Sequence, residues 1–117
     1  MLFNIGVVLN KLGNVEEARK FYEESIKNNH FYPYSYLNYA VTYKEEWDFK
    51  GAAEILNEGI DYNDEEGFLY YNRACCLCHL KKYEEALEDV LKSIECNDFF
   101  EEYSKEDIEL KALWDRI

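Results

Sequence analysis

The sequence predicts an all-α protein built as a solenoid, in which antiparallel helix pairs stack in a row. Two observations support this prediction. The first is an internal repeat of 34 residues, marked by Ala18, Ala52 and Ala86, each inside a similar short phrase. The second is apolar spacing of the i, i+3, i+4, i+7 type within each unit, which is typical of helices that bury one face. A fixed period of this length indicates units that bury their apolar faces by stacking on their neighbours.

Six helices are predicted in three pairs. When the chain is aligned with itself at the repeat period, small residues coincide at three positions per unit, where two helices can approach closely. Gly13 breaks the first pair, and Pro33 opens the third helix, where its missing N–H costs nothing. The expected ranges, with boundaries uncertain by about two to four residues, are about 1–12 and 15–28, 33–46 and 49–61, and 67–80 and 83–96.

A seventh helix is predicted at about 104–115, as a cap on the last pair. Its start is the run from Ser104 to Asp107, which resembles a capping box with Asp in place of Glu. Solenoids need such a polar-backed cap, and a cap here accounts for the isolated Trp114. The first helix has no N-cap residue ahead of it, so we expect its leading face to be uncovered.

The composition is that of one folded domain with an acidic surface. The 117 residues include 25 Asp and Glu against 13 Lys and Arg, a formal net charge of −12. This charge repels phosphate backbones and anionic lipids, so we expect neither nucleic acid nor a membrane as partner. The apolar start lacks the features of a signal peptide, and no run is long enough to span a bilayer. Four cysteines without framework spacing favour reduced thiols, so we expect a cytoplasmic protein.

The small-residue positions, the phrases at residues 13–18, 47–52 and 81–86, and the period together resemble the tetratricopeptide repeat. The resemblance divides a single domain, residues 1–117, into repeats at about 1–32, 33–66 and 67–98. It implies a right-handed superhelical α-solenoid of about seven helices with a concave groove, and a non-catalytic interaction module without cofactors. Arg73 departs from the family pattern, which usually has an apolar residue there.

A second apolar stripe on the first, third and fifth helices predicts the binding site, because in the family these faces line the groove. Asparagines recur between the stripes at the repeat period, and an asparagine side chain can both donate to and accept from a peptide backbone. Apolar neighbours would supply pockets for the side chains of the peptide. We therefore expect an adaptor that binds an extended peptide through Asn4, Asn38, Asn72, Phe3, Val7, Tyr34, Leu37, Val41, Phe68, Tyr71 and Cys75.

Some relatives in the family hold the C-terminal carboxylate of a peptide with lysines and an arginine in this groove. The corresponding positions here hold Phe3, Val7, Phe68 and Asn72, and only Asn38 agrees with those relatives. We therefore expect a segment that is bound away from its C-terminus, with modest charge preference.

Two alternatives remain open. The first is a self-assembling scaffold that forms a homo-oligomer through the uncapped first helix or the aromatic groove. The second is a metal-binding module, because Cys75, Cys78 and His79 lie within about one turn and could hold zinc together with an outside group. The same cysteines are more simply explained as small hydrophobes at a helix contact. Residues 75–79 also match the spacing of c-type haem attachment, which the absence of an export signal disfavours. No catalytic pattern is present, so no enzyme is predicted.

Overall fold

All regular secondary structure in the described part of the chain is helical. The computed structural model describes the backbone of residues 2–117 and the side chains of residues 5–117. Its elements are α1 (Leu2–Lys11), α2 (Val15–Asn28), α3 (Pro33–Lys44), α4 (Phe49–Tyr62), α5 (Gly67–His79), α6 (Tyr83–Cys96), α7 (Phe99–Glu106) and a 3₁₀ helix (Ile108–Arg116). The all-α architecture predicted from the repeat is confirmed, and the first six helices begin and end within two residues of the expected ranges.

The helices pack in consecutive pairs, and the pairs stack in a row. Each of α1, α3 and α5 packs against the helix that follows it, while α2 packs on α3 and α4 packs on α5. The odd-numbered helices α1, α3 and α5 also contact one another along one side. That side is therefore the inner, concave side of the stack. No helix in the described part is both long and apolar enough to cross a membrane.

Small residues at the repeat positions allow the helices of a pair to approach closely. Ala18, Ala52 and Ala86 are all fully buried, as the alignment of the repeat predicts. A Cβ atom added at Gly59 would lie 2.8 Å from Cβ of Tyr36, which is closer than real Cβ atoms come. The tyrosine ring of α3 therefore needs a glycine on α4 in order to pack.

The turn inside each helix pair has the same conformation in all three repeats. Gly13, Trp47 and Lys81, spaced by the repeat period, have φ angles of 85°, 63° and 63°. In each turn, the N–H of the next residue donates to the carbonyl five residues earlier, at 2.8 to 2.9 Å. This is a Schellman motif, in which a left-handed residue closes the end of a helix. Glycine adopts that conformation without strain, whereas Trp47 and Lys81 do not.

The C-terminal cap differs from the predicted single helix over about 104–115. Helix α7 begins earlier, at Phe99, and ends at Glu106, after which the chain continues as the 3₁₀ helix. Ser104 is therefore not an N-cap. It lies buried inside α7 and donates its hydroxyl to the carbonyl of Glu101 at 2.9 Å. The prediction failed because Asp107, not Ser104, caps a helix: its carboxylate accepts from the N–H of Glu109 at 3.0 Å.

Trp114 fastens the two parts of the cap together. Its indole N–H lies 3.1 Å from the carbonyl of Ser104 and 3.2 Å from that of Asp107. These carbonyls belong to the end of α7, where the helix itself supplies no partner. Leu110 and Leu113 of the 3₁₀ helix are fully buried in one cluster with residues of α5 and α6. The cap thus covers the last helix pair, as expected, with a different local structure.

Candidate binding groove

A groove runs along the concave side of α3 and α5, and the C-terminal segment forms one of its walls. It contains two adjoining cavities that share Lys44 and Glu109. The aromatic cavity, of about 350 Å³, is lined by Lys44, Tyr71, Asn72, Cys75, Phe99, Phe100, Tyr103, Asp107 and Glu109. The turn cavity, of about 430 Å³, is lined by Val41, Lys44, Glu45, Trp47, Phe49, His79 and Glu109.

The repeated asparagines of α3 and α5 have the same conformation. The side-chain amide of Asn38 donates to the carbonyl of Tyr34 at 2.9 Å, and that of Asn72 donates to the carbonyl of Phe68 at 2.7 Å. Each side chain is therefore fixed against its own helix by a bond to the residue four positions earlier. Among the described residues, neither side-chain oxygen has a hydrogen-bond partner. Asn72 lines the aromatic cavity, and both oxygens can accept from a ligand.

Aromatic rings from consecutive repeats stack on each other. The ring of Tyr34, which is exposed, stacks on that of Phe68 with centroids 5.0 Å apart. Leu37 and Phe68 are half-buried against the core, and Val41 lines the turn cavity. Tyr34, Leu37 and Val41 share one face of α3 at spacings of three and four residues, and together with Phe68 they are called the apolar strip.

Tyr71 and Cys75 are less accessible than the sequence predicts. They are 5% and 2% exposed, because the 3₁₀ helix packs on α5 and the rings of Phe100 and Tyr103 from α7 contact Tyr71. The ring of Tyr71 stacks on Phe100, and its hydroxyl donates to the carboxylate of Asp107. Both residues form part of the floor of the aromatic cavity, and their contact with a peptide stays a prediction.

The first repeat contributes less to the described groove. Phe3 and Asn4 lie outside the residues whose side chains the structure describes. Val7 is half-buried on α1. Their predicted contacts with a peptide stay predictions.

The sequence interpretation missed the aromatic residues of α7. Phe99, Phe100 and Tyr103 line the aromatic cavity, and the first and last are 60% and 50% exposed. Their spacing of one and four positions would have indicated one aromatic face, but the predicted cap began after them.

A model of the family described as "Tetratricopeptide repeat" matches residues 1–29. Solved structures match over nearly the whole chain. The chain has a tetratricopeptide-repeat fold. The first such domain of Spaghetti (RPAP3), bound to an HSP90 peptide, is 22% identical, with a TM-score of 0.77 over 98% of this chain and 86% of that one. The first domain of human RPAP3, solved by NMR, has the same identity and TM-score over 98% and 85% of the two chains.

The tetratricopeptide-repeat domain of Arabidopsis OM64 is 21% identical, with a TM-score of 0.75 over 98% of this chain and 89% of that one. No curated protein matches the chain. The resemblance predicted from the sequence is confirmed, and with it the α-solenoid. Domains with this fold use their concave surface to bind other proteins.

Charged side chains link the tetratricopeptide repeats to the cap at the border of the two cavities. The carboxylate of Glu109 lies 3.8 Å from the ammonium group of Lys44 and 3.3 Å from Nε2 of His79. The ring of His79 stacks on that of Phe49, with centroids 3.9 Å apart. The 3₁₀ helix is thereby held to the ends of both α3 and α5.

The cysteines of α5 are placed as packing residues of the tetratricopeptide solenoid. Cys75, Cys76 and Cys78 are buried, and burial raises the pKa of each thiol, that of Cys78 to about 11. A buried neutral thiol is a poor metal ligand, because metals bind the thiolate. In the described part of the chain, no group of three or more His, Cys, Asp or Glu side chains could hold a metal ion.

Proposed function

We propose that this chain is a non-catalytic adaptor that binds an extended peptide segment of another protein in its concave groove. The observation that supports this proposal most directly is the pair Asn38 and Asn72. Both occupy the same position of consecutive repeats, and both are fixed by a bond to their own helix. Their side-chain oxygens therefore present acceptors at a regular spacing with little further loss of side-chain entropy on binding.

The apolar strip supplies the second half of the binding surface. A peptide whose backbone N–H groups donate to the asparagines would place alternate side chains against Tyr34 and Phe68 on one side, and in the cavities on the other. Backbone contacts would provide affinity for any extended segment, and the pockets would select among sequences. This division of roles suits an adaptor that recognises a short motif.

One neighbour with the same fold provides further support. The Spaghetti (RPAP3) domain is bound to an HSP90 peptide with the sequence SRMEEVD. A groove of this shape can therefore hold a peptide. The positions at which some relatives hold a terminal carboxylate here include Val7, Phe68 and Asn72, which carry no positive charge. We propose that this chain takes an internal segment instead.

The partner and the compartment follow from the same properties. The formal charge of −12 disfavours nucleic acid and anionic membranes as partners. All four cysteines are free, which suits the reducing cytoplasm. We therefore propose a cytoplasmic protein whose partner is another protein.

The test begins with peptides selected by phage display on the immobilised chain, labelled and titrated by fluorescence anisotropy. In the variant Asn38→Ala with Asn72→Ala, each lost hydrogen bond should weaken binding about fivefold. The matched control is Asn14→Ala with Asn28→Ala, because both residues are exposed and lie at the two ends of α2, outside α3 and α5. Unchanged affinity in the groove variant, or equal loss in the control, would contradict the proposal.

A second candidate function is self-assembly through α1. Ile5 and Val8 on this helix, together with Leu12 directly after its end, form an apolar stripe and are 38%, 56% and 70% exposed. A stripe of this kind is typical of a face that packs on another helix, either of a preceding repeat or of a second copy. Light scattering over a concentration series tests the second copy. A mass that rises with concentration, and falls to that of the monomer in Val8→Glu, would support it, whereas a monomer throughout would contradict it.

A further inference from the structure

We propose that the aromatic cavity binds an arginine side chain of the peptide segment, so that the groove prefers basic ligands. This inference rests on the proposed function and specifies the chemistry of its ligand. It follows from the combination of a cavity of suitable size, exposed aromatic rings and an excess of carboxylates. The acidic HSP90 peptide in the RPAP3 structure has the opposite chemistry.

The aromatic rings of α7 present their surface to the cavity. Phe99 is 60% exposed and Tyr103 is 50% exposed, and their ring centroids lie 5.4 Å apart. Tyr103 in turn packs edge-on against Tyr71, at 5.5 Å. The rings therefore hold one another in place without a ligand. A cation over such a ring is attracted by its quadrupole, and guanidinium is the side-chain cation that stacks most readily.

The charges of the cavity also favour a cation. Two carboxylates, those of Asp107 and Glu109, line it together with one cation, Lys44. Lys44 is at 3.8 Å from Glu109, whereas the described residues place no cation against Asp107. Asp107 is fixed by the hydroxyl of Tyr71 and the N–H of Glu109, so its charge is held at the cavity wall.

The Cys75 thiol at the floor of the cavity is affected by the same carboxylates and the same lysine. Burial raises the pKa of Cys75, and the charge of Glu109 raises it further, as does that of Asp107, while Lys44 lowers it. The two carboxylates thus disfavour a negative charge in the cavity. An acidic side chain would meet that field, while a guanidinium group would be stabilised by it.

Arginine fits this cavity better than lysine does. Its planar group is weakly hydrated, so it can leave water to lie on a ring, and its several N–H groups can reach a carboxylate at the same time. A stacked guanidinium would have Tyr103 or Phe99 beneath it and Asp107 or Glu109 at its edge.

The test uses the ¹⁵N-labelled full chain and three small probes: N-acetyl-arginine amide, its uncharged isostere N-acetyl-citrulline amide, and N-acetyl-glutamate amide. NMR titration should show saturable shifts at the residues of the aromatic cavity with the arginine probe. Its dissociation constant should be about fivefold lower than that of the citrulline probe, because hydrogen bonds to charged groups are the stronger ones. The glutamate probe should leave these residues unshifted.

Two variants test the aromatic side and the acidic side of the cavity separately. Tyr103→Leu and Glu109→Gln should each weaken binding of the arginine probe about two- to fivefold, the range for one exposed cation–π contact or ion pair. Their matched controls are Tyr83→Leu and Glu24→Gln, at exposed positions that line neither cavity. Thermal melting of each variant shows whether it is folded, and the controls should bind as the native chain does.

The inference is overturned if arginine and citrulline bind equally, if no probe shifts the cavity, or if the controls weaken binding as much as the cavity variants. Its failure can be told from failure of the proposed function. If the selected peptides lack arginine, and the asparagine substitutions weaken their binding, the groove is upheld and the arginine site is overturned. Arginine binding that does not depend on Asn38 and Asn72 would uphold the arginine site and contradict the proposed role of the asparagines.

Discussion

Arg73 of α5 and Asp89 of α6 form a two-point ion pair inside the last repeat. Nε of Arg73 lies 2.7 Å from one carboxylate oxygen of Asp89, and its second guanidinium N–H group lies 2.8 Å from the other. Asp89 is buried, and Asn57 of α4 accepts a third hydrogen bond from Arg73 at 2.9 Å. The hydrogen bonds to Asp89 raise the pKa of Arg73 and favour its charged guanidinium. This arrangement explains a charged residue where the family usually has an apolar one.

Removing one partner of this pair should cost more than removing both. Arg73→Leu leaves the carboxylate of Asp89 buried and unpaired, so we expect a loss of about 3 kcal/mol in the free energy of unfolding. Arg73→Leu with Asp89→Leu replaces the pair by apolar contact and should recover most of that loss. Urea unfolding of the three proteins measures the difference. A double variant as unstable as the single one would show that the pair itself provides the stability.

Lys81→Gly should stabilise the protein. Lys81 is exposed and has a φ of 63°, which a residue with a Cβ adopts at a cost of about 1 kcal/mol and glycine adopts freely. The first repeat already has Gly13 at the equivalent position. The melting temperature of Lys81→Gly is therefore expected to rise. Lys20→Gly is the control, because Lys20 is exposed within α2, where glycine should lower the melting temperature.

The stability of the protein should fall at high pH, partly because of Tyr71. Burial raises the pKa of Tyr71, and its hydrogen bond to Asp107 raises it further. The folded state therefore keeps this proton above pH 10, at which the unfolded chain releases it. Stability from this group is complete below that pH and is lost as the pH rises, at about 1.4 kcal/mol per pH unit.

Tyr71→Phe tests this pH dependence. The variant lacks the titrating hydroxyl, so its free energy of unfolding should fall less steeply above pH 10, whatever its stability at neutral pH. Tyr36 is also buried, with a raised pKa, so some dependence on pH should remain. Denaturation with urea at several pH values gives the slopes. Equal slopes for the two proteins would rule out the assigned role of Tyr71.

One cysteine should react with thiol reagents much faster than the other three. Cys96 is half-buried at the end of α6, whereas Cys75, Cys76 and Cys78 are buried inside α5. Burial raises the pKa of these three, so little thiolate forms on them at neutral pH. Reaction of the native chain with Ellman's reagent should show one fast thiol, which Cys96→Ser removes. Several fast thiols in the folded protein would contradict the packing of α5.

The repeat made the six paired helices predictable, because similar residues at equivalent positions pack in the same way in each unit. Gly59 packs closely against Tyr36. Ala18, Ala52 and Ala86 are likewise buried at equivalent positions of the three repeats. The asparagine positions on α3 and α5 followed from the same periodicity. Their bonds to the carbonyls four residues earlier did not, since these bonds depend on the side-chain conformation in each helix.

The C-terminal segment was predicted poorly because no repeated copy of it exists. Ser104 and Asp107 match a capping motif in the sequence. In the structure, however, Ser104 is buried within α7 and bonds to the carbonyl of Glu101, so it does not begin a helix. The burial of Tyr71 and Cys75 was not predicted for the same reason. Only tertiary packing shows that the cap folds back over them and brings Tyr103 to the aromatic cavity.

The two ends of the stacked row differ in what they can accept. At α6, the face that another helix pair would pack on is already filled by Leu110 and Leu113. At α1, the stripe containing Val8 is open among the described residues. A stack of helix pairs lengthens only where a packing face is free. Any joining of repeat units to this chain should therefore be one-directional, proceeding from α1 and stopping at the 3₁₀ helix.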